Sequence, residues 1–72
     1  MLTERYRGYD LWGHPIEQQG GILEPERFAS SGTVTRAGKL VVASDVLGIV
    51  DEEVIAQQMG LDWARAWVDS HS

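Results

Sequence analysis

The sequence predicts an α+β fold in which a three-stranded antiparallel β-meander is followed by one C-terminal α-helix packed on one sheet face (βββα). Glycines punctuate the first two-thirds of the chain at intervals that suit hairpins, whereas the last third has none before Gly60. That last third instead carries apolar residues at helical spacing. Because the chain has 72 residues and no internal repeat, we expect residues 1–72 to form a single small domain.

Three segments are expected to form the strands, over residues 6–17, 26–36 and 39–47. The first is dense in aromatic and aliphatic residues, and the glycine pair at residues 20–21 predicts a turn after it. The second alternates apolar with hydroxylated residues, which is the pattern of a strand with one wet face. Ala37 and Gly38 form a tight connection, so we expect the second and third strands to pair as an antiparallel hairpin.

The helix is expected to begin after Asp51, which stands where an N-cap residue is favoured. Glu52 and Glu53 then occupy its first turn, where carboxylates oppose the positive end of the helix dipole. Gly60 costs about 1 kcal/mol in a helix interior relative to alanine, yet the apolar spacing stays in phase on both sides of it. We therefore expect one continuous helix.

The predicted core joins the apolar face of the strands to one apolar arc of the helix. Trp63 and Trp67 are four residues apart, so they lie on the same side of the helix and are expected to pack on the sheet. The core residues expected from these patterns are Tyr9, Leu11, Phe28, Val34, Ile55, Met59, Trp63 and Trp67.

Two further groups of residues are candidates for an interaction surface. Strict alternation along the first predicted strand places Tyr6, Trp12 and His14 on the face that a single helix leaves uncovered. A second apolar sector of the helix has a spacing of seven residues, which indicates another contact, either with a partner or with the chain before the helix. Its members are Val54, Leu61 and Val68.

Charge and composition limit the classes of partner. Six basic and eleven acidic residues give a net charge of −5, which on average repels phosphate backbones. Nucleic-acid binding through exposed aromatic residues is the alternative function, and it requires basic residues on the same face as Tyr6 and Trp12. The basic residues that could meet this requirement are Arg5, Arg7, Arg27 and Arg36.

Neither catalysis nor a bound metal or cofactor is expected. The chain has no Cys, and His14 and His71 are its only imidazoles, without the spacing of a metal-binding motif. No stretch approaches the ~20 apolar residues of a membrane-spanning helix, and the N-terminus does not have the pattern of a signal peptide. A cytoplasmic location is the expectation.

Several motifs together resemble a known family. Tyr-x-Gly-Tyr at residues 6–9, the glycine turns and Gly-Leu-x-Trp-Ala-x-x-Trp-Val-Asp-x-His at residues 60–71 are similar to those of small uncharacterised bacterial proteins of the domain-of-unknown-function type. The resemblance implies a three-stranded antiparallel sheet covered by one helix, and it implies no activity.

The sequence therefore favours a non-catalytic protein-interaction or self-associating module. Its partner is either a second copy, giving a homodimer, or an unidentified protein. Without disulfides, a domain of this size often depends on well-packed aromatic residues or on a second copy for its stability.

Overall fold

The computed structural model describes residues 2–18 and 27–71 of the chain. Within them lie five strands and one helix. In chain order these are β1 (Leu2–Tyr6), β2 (Tyr9–Gln18), β3 (Arg27–Arg36), β4 (Lys39–Ala43), β5 (Gly48–Val50) and α1 (Glu53–His71). The turn predicted at residues 20–21 and the predicted start of the second strand at residue 26 lie outside the described residues.

The sheet is antiparallel, and α1 packs on one of its faces, so the α+β class and the C-terminal helix are confirmed. The strand order is β1-β2-β3-β4, and β5 pairs with β3 beyond the end of β4. The prediction of three strands is wrong in two respects. An additional strand, β1, precedes the first predicted one, and the third predicted strand ends at Ala43 instead of residue 47 and is followed by a further strand, β5.

Two-residue turns close the β1–β2 and β3–β4 hairpins. Arg7 and Gly8 have φ values of 52° and 86°, and Ala37 and Gly38 have φ values of 51° and 78°. Two successive positive φ values are the signature of the type I′ turn, whose twist matches that of the flanking strands. Both turns lie at the same end of the sheet, which we call the turn end, and the C-terminus of α1 reaches this end as well.

The interruption between β4 and β5 is bridged by hydrogen bonds to β3. Ser44 N donates to the Gly32 carbonyl oxygen and Leu47 N to the Ser30 carbonyl oxygen, each at 2.8 Å. The Gly32 amide donates in turn to Ser44 Oγ, also at 2.8 Å. These bonds satisfy β3 backbone groups that a continuous neighbouring strand would otherwise pair with.

Helix α1 crosses the sheet with its backbone in direct contact with β2 and β3. Gly13 and Gly32 are paired neighbours at the centre of the sheet, and Gly60 lies against them. A Cβ atom added at Gly60 would lie 2.9 Å from Gly13 Cα, and one added at Gly32 would lie 2.5 Å from the Gly60 carbonyl oxygen. Only glycine allows so close an approach at these three positions.

A buried hydrogen bond joins the two layers beside the glycine contact. Ser30 is fully buried on β3, and its Oγ donates to the Ala56 carbonyl oxygen at 2.6 Å. A buried hydroxyl without a partner would cost about 1 to 3 kcal/mol. The bond therefore removes a penalty and fixes the position of α1 along the sheet.

Small residues on α1 face the sheet, and this differs from the expected orientation. The buried helix positions are Ala56, Gly60, Leu61, Ala64 and Val68. Four of them are spaced by four residues, so they form one ridge that fits against the glycine-rich centre of the sheet. Larger side chains in this ridge would hold the two backbones apart.

The main hydrophobic core lies between this ridge and the two central strands. Leu11 and Val34 are fully buried there. Five of the expected core residues are half-buried: Tyr9, Phe28, Met59, Trp63 and Trp67. Of these, Tyr9, Trp63 and Trp67 pack against this core. Ile55 was expected in the core but is 45% exposed, because the helix turns its small residues to the sheet and leaves Ile55 on its flank.

The beginning of α1 also differs from the expectation. The helix starts at Glu53, and the Ala56 amide donates to the Glu52 carbonyl oxygen at 3.1 Å, so Glu52 occupies the N-cap position. Asp51 precedes the cap and lies 3.8 Å from Arg27 Nε. The helix continues without a break through Gly60, as expected. Among the described residues, no helix combines the length and the apolar character needed to span a membrane.

An ion pair ties β1 to the helix. Arg65 donates from Nε and Nη2 to the two carboxylate oxygens of Glu4, at 2.6 and 2.7 Å, and from Nη1 to Asp62 at 2.8 Å. The hydrogen bonds from Arg65 hold the pKa of Glu4 below its usual value, and those to Glu4 raise the pKa of Arg65. Such a two-bond geometry orients the partners better than a single contact does.

Gly60→Ala tests the backbone contact between α1 and the sheet. In an exposed helix this change adds about 1 kcal/mol of stability, but here the new methyl group would meet Gly13 and the Ser31 backbone. We expect a loss of about 3 kcal/mol in the free energy of unfolding, measured by urea denaturation. Gln58→Ala, on the exposed side of α1, is the control and should change it by less than about 0.5 kcal/mol. A stabilised Gly60→Ala variant would contradict the contact.

Arg65→Gln tests the ion pair through the titration of Glu4, followed by carboxyl carbon NMR. The Glu4 pKa should rise towards its usual value in the variant, because the hydrogen bonds that lower it are lost. A folded-state pKa below the unfolded value contributes stability above the unfolded pKa, and this is lost as the pH falls through the folded pKa. The wild type should therefore melt above Arg65→Gln at neutral pH, and the difference should shrink on acidification.

Asp62→Asn is the matched control, because it removes the second partner of Arg65 and leaves Glu4 in place. It should keep the low Glu4 pKa. An equal rise in both variants would mean that the pKa does not depend on the direct bond.

Candidate functional site

The sheet face opposite α1, which we call the open face, is the candidate interaction surface. Cross-strand pairing sets its members, since paired residues in an antiparallel sheet share a face. Its five rows of paired side chains run across the strands. From the turn end to the opposite end they are Arg5, Asp10, Thr35 and Leu40; Thr3, Trp12, Thr33 and Ala43; His14 and Ser31; Ile16, Ala29 and Ile49; and Gln18 and Arg27.

Trp12 and His14 lie on the open face, and hydrogen bonds to β3 hold both. Trp12 Nε1 donates to Thr35 Oγ1 at 3.0 Å, and His14 Nε2 shares a hydrogen bond of 3.0 Å with Thr33 Oγ1. Both rings are half-buried. A ring held in this way loses little conformational freedom on binding, which favours its use in recognition.

Apolar side chains stand uncovered at both ends of the open face. Ile16 and Ile49 are 45% and 56% exposed, and they flank the buried Ala29 on neighbouring strands. Leu40, at the turn end, is 67% exposed. None of these three was a predicted site residue. Ile16 could have been found from its alternation with Trp12 and His14, whereas Ile49 depends on the pairing of β5, which no local pattern indicates.

Tyr6 does not lie on the open face, contrary to the expectation. The turn at residues 7–8 pairs Tyr6 directly with Tyr9, which places both on the face covered by α1. Tyr6 OH donates to Asp69 Oδ1 at 2.7 Å, and its ring packs against the core. The expectation treated residues 6–17 as one strand, in which positions 6 and 9 would face opposite ways.

The second apolar sector of α1 is not an outer surface either. Leu61 is 4% exposed and Val68 is fully buried, because both face the sheet. Val54, in the first turn of the helix, is 60% exposed and lies off the open face. Two of the three residues with the spacing of seven thus belong to the side of α1 that faces the sheet. The additional contact that the spacing predicted is the contact with the sheet.

Two of the four arginines that the nucleic-acid alternative needs share the open face with Trp12, but they lie at opposite ends of it. Arg5 is on the open face, directly opposite Asp10. Arg7 and Arg36 lie over the rings of Tyr6 and Tyr9, on the side that α1 covers. Arg27 is at the far end of the sheet, 3.8 Å from Asp51.

The two histidines are in separate surroundings. His14 contacts Thr33 on the open face, whereas His71 stacks on Trp67 with 4.2 Å between ring centroids and shares a 2.8 Å hydrogen bond between Nδ1 and the Trp67 carbonyl oxygen. Across residues 2–18 and 27–71, no three His, Asp or Glu side chains converge in a geometry that could hold a metal ion.

Comparison of the chain with protein-family models, with curated proteins and with solved structures finds no match. The resemblance to small bacterial proteins of the domain-of-unknown-function type therefore stays a prediction.

Proposed function

We propose that the protein is a non-catalytic interaction module that self-associates through the open face of its sheet. The observation that carries the proposal is the ordered Trp12 side chain on that face, held by its hydrogen bond to Thr35. Tryptophan is among the residues that contribute most to binding energy at protein interfaces. Here it is oriented before any partner arrives.

The distribution of apolar groups supports the same surface. Ile16 and Ile49 provide one exposed apolar area, and Leu40 lies near Trp12 at the other end, with hydroxyl groups of β3 between them. An apolar surface interspersed with polar groups is typical of contacts that form between separately folded chains.

The charges on the open face favour a second copy as the partner. The chain carries a net charge of −5, yet Asp10 is the only carboxylate that strand pairing places on this face within the described residues. Two copies meeting face to face would keep most of their negative charge apart. Arg5 lies beside Asp10, so the face presents both signs, and a two-fold arrangement could pair them between copies.

The proposal predicts a dimer that dissociates on dilution. We expect sedimentation velocity of the wild type to show a monomer–dimer equilibrium over about a hundredfold concentration range. Trp12→Ala and Ile16→Ser should each weaken the dimer about tenfold, because each removes apolar area from the contact. Val54→Ser is the matched control, because Val54 is a similarly exposed β-branched residue that lies off the open face. This variant should leave the dimer dissociation constant within about twofold of the wild-type value.

Circular dichroism and thermal unfolding of each variant separate association from folding. Ile16 is already 45% exposed, so Ile16→Ser tests the contact even if Trp12→Ala lowers stability. A wild type that remains monomeric throughout, or a Val54→Ser variant weakened as much as Ile16→Ser, would rule out self-association through this face.

A further inference from the structure

The turn end of the molecule concentrates positive charge on a chain that is acidic as a whole. Arg7 lies in the β1–β2 turn, and Arg36 and Lys39 flank the β3–β4 turn. These are three of the six basic residues in the sequence. Strand pairing brings them to one end of the sheet, although they are far apart in the chain.

Two of these cations are directly opposed. Arg36 and Lys39 are paired neighbours on β3 and β4, and like charges in this position destabilise a sheet. Within the described residues, neither forms an ion pair. No described carboxylate thus compensates their repulsion, and an anion bound between them would relieve it.

Aromatic rings hold the two arginines without neutralising them. The Arg36 guanidinium carbon lies 5.2 Å from the centroid of Tyr9, and that of Arg7 lies 5.6 Å from the centroid of Tyr6. Cation–π contacts of this kind restrict a guanidinium while leaving its charge intact. Arg7 is partly balanced by Asp69, whose Oδ1 lies 3.5 Å from its Nε.

Acidic residues gather at the other end of the molecule. Asp51, Glu52 and Glu53 surround the start of α1, which lies at the opposite end of the sheet from the turns. The longest dimension of the protein is 45 Å, whereas salt screens charges beyond about 8 Å at physiological ionic strength. The acidic end therefore does not cancel the positive field of the turn end.

We infer that Arg7, Arg36 and Lys39 form a docking site for a short acidic segment of a partner protein. At this end Tyr6 pairs with Tyr9, Arg36 lies over the Tyr9 ring, and Arg36 pairs with Lys39. These side chains form a row across four strands. Neighbouring strands are about 4.8 Å apart, so the row spans about 14 Å, the length of four or five extended residues. A peptide segment with a few consecutive acidic residues has this length.

A peptide fits the surface better than a polynucleotide. The two shorter dimensions of the protein are 20 and 17 Å, so a long anion would extend past the turn end. Beyond it, the described residues offer no second cluster of unpaired cations, since Arg27 and Arg65 each pair with a carboxylate. The net charge of −5 opposes a long polyanion in general. The site shares no residue with the contact proposed for the open face, so either proposal can fail alone.

The test is calorimetric titration of the wild type with a blocked hexaglutamate peptide at low salt. Hexaglutamate should bind, hexaglutamine should not, and added salt should weaken the binding. Arg36→Gln and Lys39→Gln should each weaken it about fivefold. Arg27→Gln is the matched control, because it removes the same charge from an exposed arginine at the far end of the sheet, and it should change the affinity by less than about twofold.

Thermal unfolding shows whether each variant keeps its fold, which we expect because Arg36 and Lys39 are exposed. Relief of like-charge repulsion should leave the two variants at least as stable as the wild type. Absence of hexaglutamate binding would overturn the inference, as would an equal loss in Arg27→Gln. A six-nucleotide thymidine strand that binds more tightly than hexaglutamate at the same salt would overturn it in favour of nucleic acid.

Discussion

The contact between three glycines sets the distance between helix and sheet, and the other packing depends on that distance. Gly60 can lie against Gly13 and Gly32 only because none of the three carries a Cβ atom. At this separation Ser30 reaches the Ala56 carbonyl oxygen, and residues as small as Ala56 and Ala64 fill the interface. The two tryptophans of α1 pack on the sheet around this contact, Trp63 against Gly32 and Trp67 edge-on to Tyr9. The chain has no cysteine and therefore no disulfide to stabilise its small core. The close approach of the helix backbone to the sheet stabilises the core instead.

Local chemistry accounts for what could be predicted from the sequence. The turn at Ala37 and Gly38, the alternation of β3 and the acidic start of the helix are each visible within a few residues, and each corresponds to an observed element. The turn at residues 7–8 has the same pattern, a residue followed by glycine. The first strand was expected over residues 6–17, which placed this turn inside a strand. The segment before the turn carries Glu4 on the inner face of β1, where alternation alone would require an apolar side chain. Its partner, Arg65, lies 61 residues away in the chain.

The orientation of the helix could not be predicted, because it depends on strand register. Gly13 and Gly32 face each other only when β2 and β3 pair as they do, and no local pattern gives that pairing. Without it, the large apolar residues are the natural choice for the core, and the spacing of Leu61 and Val68 predicts a second surface. For the candidate site, alternation placed Trp12 and His14 on the open face, whereas the missed hairpin reversed the side assigned to Tyr6.

The interruption between β4 and β5 has a consequence for how sheets of this protein can meet. An unbroken outer strand offers a row of free amides and carbonyls on which another strand can form, the usual route to edge-to-edge polymerisation. Here the register shifts between Val34 and Thr35, and residues 44–47 leave the strand conformation altogether. No incoming strand can pair continuously along that border. The interruption that shortens this edge thus also hinders fibrous growth along it.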